Sequence, residues 1–129
     1  TPKFAICVDQ HGDDSVGIQV AFALKDAIAK SARYVLTDEE KNSIIVDLVT
    51  ADRFFDEQKG WQPARGSASY ISVLVYLNAP PADHPGAPAN VVLHHHLMLA
   101  GSENSREAGE RILATVDKAM AIVTKAGGK

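Results

Sequence analysis

The sequence predicts an α+β fold, a two-layer sandwich in which two helices cover one face of a mostly antiparallel sheet. Two segments, one towards each end of the chain, carry apolar residues at helical spacing. Three long segments of strand-like character follow one another between them. Consecutive strands favour antiparallel pairing, and two amphipathic helices need an apolar sheet face to pack on. The 129 residues fit one α+β domain, 1–129, with the element order β-α-β-β-β-β-α.

The chain opens with an alternating run, Lys3–Asp9, that predicts the first strand. Cys7, the only cysteine, alternates within this run and is expected to be a small buried apolar residue. Turn-forming residues then interrupt the pattern, and Asp13, Asp14 or Ser15 is expected to cap the helix that follows. A strand followed by a capped helix is therefore predicted at the start of the chain.

The first helix carries apolar residues at helical spacing from position 16 to position 28. Ile18 and Phe22 widen its apolar arc, so we expect this helix to be buried over much of its circumference. A short strand is predicted at 33–36, before the charged turn 37–42.

Three longer strands follow, at Ser43–Ala51, Ser69–Asn78 and Asn90–Gly101. The segment between the first two is polar and irregular, and the segment between the last two is a proline-rich loop. The chain ends with an amphipathic helix whose predicted core stripe comprises Ala108, Ile112, Val116, Ala119, Met120 and Val123.

Three consecutive histidines lie inside the last strand. Because successive side chains of a strand point to opposite faces, His95 is expected on one face and both of its neighbours on the other. The apolar residues sharing a face with His95 make it the predicted core histidine; they are Val91, Leu93, Leu97 and Leu99. His94 and His96 are then expected to point away from the helices.

The sheet face away from the helices is the predicted binding interface. Its expected members are Tyr70, Ser72, Leu74, Tyr76, Val92 and Met98. Tyr and Met are favoured in interfaces, and exposed apolar patches tend to mark contact sites. The favoured function is a non-catalytic interaction module that binds a protein partner or a second copy of itself. The alternative for this surface is that the 52–68 loop folds back and covers it.

A second hypothesis is a metal-binding protein or metal-dependent hydrolase that uses His94, His96 and Asp47, with zinc as the expected ion. The alternative is that the two histidines are solvated or hydrogen-bonded to neighbouring hydroxyls. A third hypothesis is a small-ligand pocket between the proline-rich loop and a ligand loop in which Trp61, Lys59 and Arg65 form an aromatic and basic patch. The alternative is that the aromatic residues of this loop fold over a sheet edge.

Charge and motifs exclude several classes of function. A formal net charge of −3 argues against a nucleic-acid partner, and the longest apolar runs are too short to form a transmembrane segment. No nucleophile elbow, zinc-protease helix or phosphate-binding loop is present, so no catalytic residue is assigned and an enzyme is disfavoured.

Residues Asp26–Thr37 and Asn42–Leu48 carry a family resemblance. A helix there ends in a small, a basic and an aromatic residue, and a short strand and a hydrophobic strand follow. This layout resembles bacterial envelope modules, namely the N-terminal domain of TolB and the CsgG/LpoB-like lipoproteins. The resemblance implies an accessory or scaffold domain without catalytic residues. It agrees with a periplasmic or secreted protein whose leader was removed before Thr1, the alternative being a cytoplasmic protein.

Overall fold

Five strands and two helices form the fold in this computed structural model, which describes residues 3–52, 68–78 and 90–127. The predicted element order is confirmed, with a short 3₁₀ turn added before the last helix. The elements are β1 (Phe4–His11), α1 (Ser15–Ala29), β2 (Tyr34–Leu36), β3 (Ser43–Asp52), β4 (Ala68–Asn78), β5 (Asn90–Gly101), the 3₁₀ turn Ser102–Asn104 and α2 (Ser105–Gly127).

One sheet joins all five strands in the order β2-β1-β3-β4-β5. The two pairings made by β1 are parallel, whereas β3 with β4 and β4 with β5 are antiparallel over most of their length. The antiparallel part comes from the strands that follow one another without a helix, as their order predicts. The sheet is therefore mostly antiparallel, and the α+β class is confirmed.

Both helices lie on one face of the sheet, and the hydrophobic core lies between them and the strands. Alternating residues of β1, β3 and β4 are buried there; they are Ile6, Val8, Ile44, Val46, Leu48, Ile71, Val73 and Val75. From α2 the core receives Ala108, Ile112, Val116 and Met120, which confirms most of the predicted stripe. Each large apolar side chain fully buried in this way contributes roughly 1.5–3 kcal/mol.

Asp14 caps α1, as one of the three predicted candidates. Its Oδ2 accepts a hydrogen bond from the Gly17 N–H at 2.8 Å, and its Oδ1 accepts one from the Thr50 hydroxyl at 2.6 Å. Burial raises the pKa of Asp14, but hydrogen bonds, with those from Ser69 and Thr50 foremost, outweigh burial and lower the pKa overall. The cap therefore also ties the start of α1 to β3.

The prediction that α1 is buried over much of its circumference is wrong. Phe22 is 72% exposed and Ile18 is 49% exposed. Val20 and Leu24 of the same helix face the core and are fully buried. The helix contacts the sheet on one side and α2 on another, so its remaining side faces solvent and the wide apolar arc exceeds the surface that is covered.

The predicted assignment of the faces of β5 is also wrong. His94 lies opposite Val75 and His96 lies opposite Val73 in the register with β4, so both histidines share the helix face. The register shifts between Val75 and Tyr76, and Leu93 is the residue of β5 left without a partner. Such a bulge reverses the alternation along a strand. Several apolar residues occupy each face of β5, so alternation alone did not decide which face would be covered.

Candidate functional site

The open face of the sheet, opposite the helices, carries an apolar patch, which we define as Val49, Tyr70, Val92, Leu97 and Leu99. These side chains are between 50% and 75% exposed, and Leu97 is the most exposed at 75%. Tyr70 lies directly opposite Leu99, and Leu97 lies opposite Ser72, which in turn lies opposite Val49. The patch therefore runs across three neighbouring strands and reaches β5 at the rim of the sheet.

The opposite side of the open face is polar. His11 Nε2 lies 3.0 Å from Asp47 Oδ1, and Asp9 pairs with Asp47 in the parallel register of β1 and β3. That Asp47 oxygen is buried and accepts no well-aligned hydrogen bond from the described residues, and His11 Nε2 is the nitrogen that lies beside it. The face thus changes from charged at β1 to apolar at β5.

Five of the six predicted interface residues lie on this open face: Tyr70, Ser72, Leu74, Tyr76 and Val92. Burial raises the pKa of Tyr76, with a further increase from Glu40, Asp47, Asp9 and Cys7. Met98 does not belong to the open face, because it lies opposite Ile71 and packs against the hydrophobic core. The prediction for Met98 is therefore wrong, for the same reason as the histidine assignment.

Three open-face residues of β5 were missed by sequence reasoning. Leu97 and Leu99 were assigned to the core and are exposed. His95, the predicted core histidine, is exposed as well, and its Nε2 lies 3.5 Å from the Ser72 hydroxyl. The sequence of β5 does not reveal the bulge at Leu93, and apolar residues lie on both faces of the strand. The sequence alone therefore does not show which face is covered.

The predicted metal triad does not come together. His94 and His96 lie on the helix face of β5. Asp47 lies on the open face of β3, and β3 is not a neighbour of β5 in the sheet. Over residues 3–52, 68–78 and 90–127, no group of three or more His, Cys, Asp or Glu side chains is placed to hold a metal ion. The prediction of a three-ligand metal site made of His94, His96 and Asp47 is therefore wrong.

His94 and His96 do contact each other. His94 Nε2 lies 2.8 Å from His96 Nδ1, and the two rings meet edge to face with centroids 4.9 Å apart. Both side chains are partly buried. Burial lowers the pKa of His96, and the neighbouring His94 and His95 lower it further. The two imidazoles therefore form a close pair in which one ring donates to the other.

The ligand loop of Trp61, Lys59 and Arg65 lies outside the described residues and remains a prediction. Cys7 is buried, as predicted. Burial raises the pKa of its thiol, and Asp9, Glu40 and Asp38 add to the increase. A high thiol pKa disfavours the thiolate, so Cys7 is not suited to act as a nucleophile.

Apart from the open face, a groove lies between α1 and the start of α2. This groove of about 490 Å³ is lined by Ile18, Phe22 and Ala23 on its apolar side and by Asp26, Lys30, Gln19, Ser105 and Arg106 elsewhere. Phe22 supplies its most exposed large apolar side chain. The groove brings together an aromatic ring and charged side chains.

Neither family models nor curated proteins match this chain. Among solved structures, the chain is similar to the crystal structure of rare lipoprotein B from Shewanella oneidensis, with a TM-score of 0.37 and 10% sequence identity. That match covers 91% of this chain and 98% of the lipoprotein. A likeness of this size carries no conclusion about function. Of the helices in the described residues, none has the length and apolar character needed to cross a membrane.

Proposed function

We propose that this protein is a non-catalytic interaction module that associates with a second copy of itself through the β5 side of its open face. The observation that carries the proposal is the apolar patch, because five large apolar side chains on the same face of the sheet are at least half exposed. Burying apolar surface stabilises an association by roughly 25 cal/mol per Å² before the entropic cost of binding is subtracted.

The position of the patch favours association along β5. Within the described part of the chain, β5 has a hydrogen-bonded neighbour on one side only, which is β4. A twelve-residue strand at a sheet edge presents unpaired backbone groups that pair readily with another strand. Leu97 and Leu99 lie on this strand, so a partner strand beside it would also cover part of the patch.

The distribution of charge favours a second copy as the partner. Asp9, His11 and Asp47 lie towards β1, on the far side of the open face from β5. Two copies related by a twofold axis beside β5 and perpendicular to the sheet would pair their β5 strands antiparallel, bring their apolar ends together and keep these charged groups apart. A twofold interface uses the same surface on both subunits, so an apolar edge strand is suited to it.

Light scattering coupled to size-exclusion chromatography at several concentrations tests this proposal. The wild-type protein is expected to form a dimer whose population rises with concentration. The double variant Leu97→Ser/Leu99→Ser is expected to be monomeric, because it removes two neighbouring exposed apolar side chains from the open face of β5. Ile122→Ser is the matched control, since Ile122 is 70% exposed on α2 and lies outside the patch.

Circular dichroism on all variants separates lost association from lost folding. A wild-type protein that stays monomeric at every concentration contradicts the proposal. A dimer that Ile122→Ser weakens as much as the β5 double variant also contradicts it, because the association would then not depend on the patch.

We extend the proposal to an accessory role in the bacterial envelope. The resemblance of segments 26–37 and 42–48 to envelope modules supports this setting. Fractionation of cells that express the native gene with a small epitope tag is the direct test, with a cytoplasmic marker protein as control. Recovery of the chain together with the cytoplasmic marker contradicts the envelope setting and leaves the association proposal standing.

A further inference from the structure

The close pair of His94 and His96 has no role in the association through the open face, because both residues lie on the other face of β5. Their facing nitrogens, His94 Nε2 and His96 Nδ1, lie 2.8 Å apart. Neutral imidazole nitrogens with free lone pairs are the commonest protein ligands of transition metals. In the hydrogen-bonded pair one of these nitrogens carries the proton. The donor ring can carry that proton on its second nitrogen instead, and both facing nitrogens can then present a lone pair to one ion.

The separation of the two nitrogens also indicates which coordination geometry they suit. Imidazole nitrogens bind such ions at about 2.0–2.1 Å. Two donors at that distance and at a right angle are about 2.9 Å apart, whereas a tetrahedral angle separates them by about 3.3 Å. The hydrogen-bonded separation of 2.8 Å is closer to the right-angle value, so the two rings need to move least to bind an ion at a right angle. Right angles between neighbouring nitrogen donors are typical of tetragonal Cu²⁺ and Ni²⁺ sites rather than of zinc sites.

The surroundings of the pair agree with a ligand role. The two residues are at alternate positions of a regular part of β5, beyond the bulge, where pairing with Val75 and Val73 of β4 fixes their backbone. The side chains are partly buried rather than free in solvent. Pairing with β4 thus holds the two imidazoles close together, which reduces the entropic cost of chelation.

We propose that His94 and His96 form a bidentate site for Cu²⁺, in which His94 Nε2 and His96 Nδ1 occupy neighbouring equatorial positions and water completes the coordination. Cu²⁺ is preferred because it binds nitrogen donors most tightly among the divalent first-row metals. The site takes the place of the three-residue zinc site that the sequence suggested, and it does not require Asp47.

Titration of the untagged protein with Cu²⁺, followed by calorimetry and electron paramagnetic resonance, tests the site. One Cu²⁺ per chain is expected, with a tetragonal spectrum that shows two imidazole nitrogens. His94→Ala and His96→Ala are each expected to weaken the affinity by about tenfold or more, because each removes one of two ligands. His95→Ala is the matched control, since His95 lies between them in sequence but on the opposite face.

The double variant His94→Ala/His96→Ala keeps every other nitrogen donor of the chain and therefore measures adventitious copper binding. Equal affinity of the wild type and this double variant overturns the proposal. An equal loss in His95→Ala and His94→Ala also overturns it, because binding would then not depend on the face of the strand. Circular dichroism confirms folding, and because the copper site and the dimer use opposite faces, an unchanged oligomeric state in the double variant is expected.

Discussion

The two faces of this sheet differ in composition. The helix face is almost entirely aliphatic, whereas the open face mixes apolar, polar and charged residues. On the helix face, β1, β3 and β4 contribute aliphatic residues that are buried with few exceptions. On the open face, buried Ile45 and Cys7 share the same strands with charged Asp47 and exposed Val49. A face that two helices cover has only one composition that folds well, whereas a face left to solvent or to a partner can be mixed. The mixed face is therefore where function is to be sought.

In β5 the two faces differ least in composition. This strand also carries both proposed sites, the association surface and the copper site. One of its faces presents Leu97 and Leu99 to solvent, and the other holds His94 and His96 beside the core. As the strand at the rim of the sheet, it is less completely covered by the helices than the central strands. Polar side chains such as His94 and His96 can therefore lie on the helix face of β5 without being fully buried.

The largest expected effect separates the two faces directly. Leu24→Ala leaves a cavity in the core, where Leu24 is 0% exposed, and is expected to lower the free energy of unfolding by about 2–5 kcal/mol. Leu97→Ala removes the same side chain from the open face and is expected to change it by less than about 0.5 kcal/mol in the monomer. Urea denaturation at low protein concentration measures both. Similar losses in the two variants would show that the open face is covered within one chain.

A smaller effect tests how closely the two helices of the covered face approach each other. A Cβ added at Gly109 would lie 2.7 Å from the backbone nitrogen of Leu24, so Gly109→Ala must push α2 away from α1. We expect a loss of about 1–3 kcal/mol. Helix propensity alone predicts the opposite sign, a gain of about 1 kcal/mol. The sign of the change in thermal denaturation decides, and a gain would contradict the close approach. Ala114→Gly, at an exposed position of α2, is the control for propensity.

The smallest effect concerns the cap that joins α1 to the covered face. Asp14→Ala removes the acceptor of the Gly17 and Thr50 hydrogen bonds and is expected to cost about 0.5–2 kcal/mol at neutral pH. The exposed neighbour Asp13 supplies the matched control, Asp13→Ala, for which little change is expected.

The pH dependence of this cap follows from the lowered pKa of Asp14 in the folded protein. Its stabilising contribution is complete above the unfolded pKa of about 3.9 and is lost as the pH falls through the lower folded value. The difference between wild type and Asp14→Ala, measured by urea denaturation across this acid range, should therefore shrink. A difference that stays constant down to the lowest pH would show that the carboxylate charge does not contribute.

Much of the covered face could be predicted from sequence. The core residues of β1, β3 and β4 repeat every second position, the α2 stripe repeats at helical spacing, and Asp14 stands immediately before α1. Each of these features depends on residues close together in the sequence, so a local pattern is enough to predict it. Phe22 could not be placed in this way, because helical spacing shows that a residue is apolar but not whether a neighbouring element covers it.

The candidate site was predicted only in part. Tyr70, Ser72, Leu74 and Tyr76 follow the regular alternation of β4 and lie where it places them. The residues of β5 after Leu93 do not, because one unpaired residue reverses their faces. That bulge arises from pairing with β4 and has no composition signal of its own. The predicted metal triad failed for this reason and also because β4 separates Asp47 on β3 from the histidines on β5.

The sequence by itself determined the fold class, the order of the elements, the start of α1 to within three candidate caps and the alternation of β3 and β4, because these depend on local patterns. Only the tertiary structure decided that Leu97 and Leu99 face outwards while His94 and His96 lie beside the core. The register of an edge strand with apolar residues on both faces is set by its neighbour, and a shift of one residue exchanges the two faces completely.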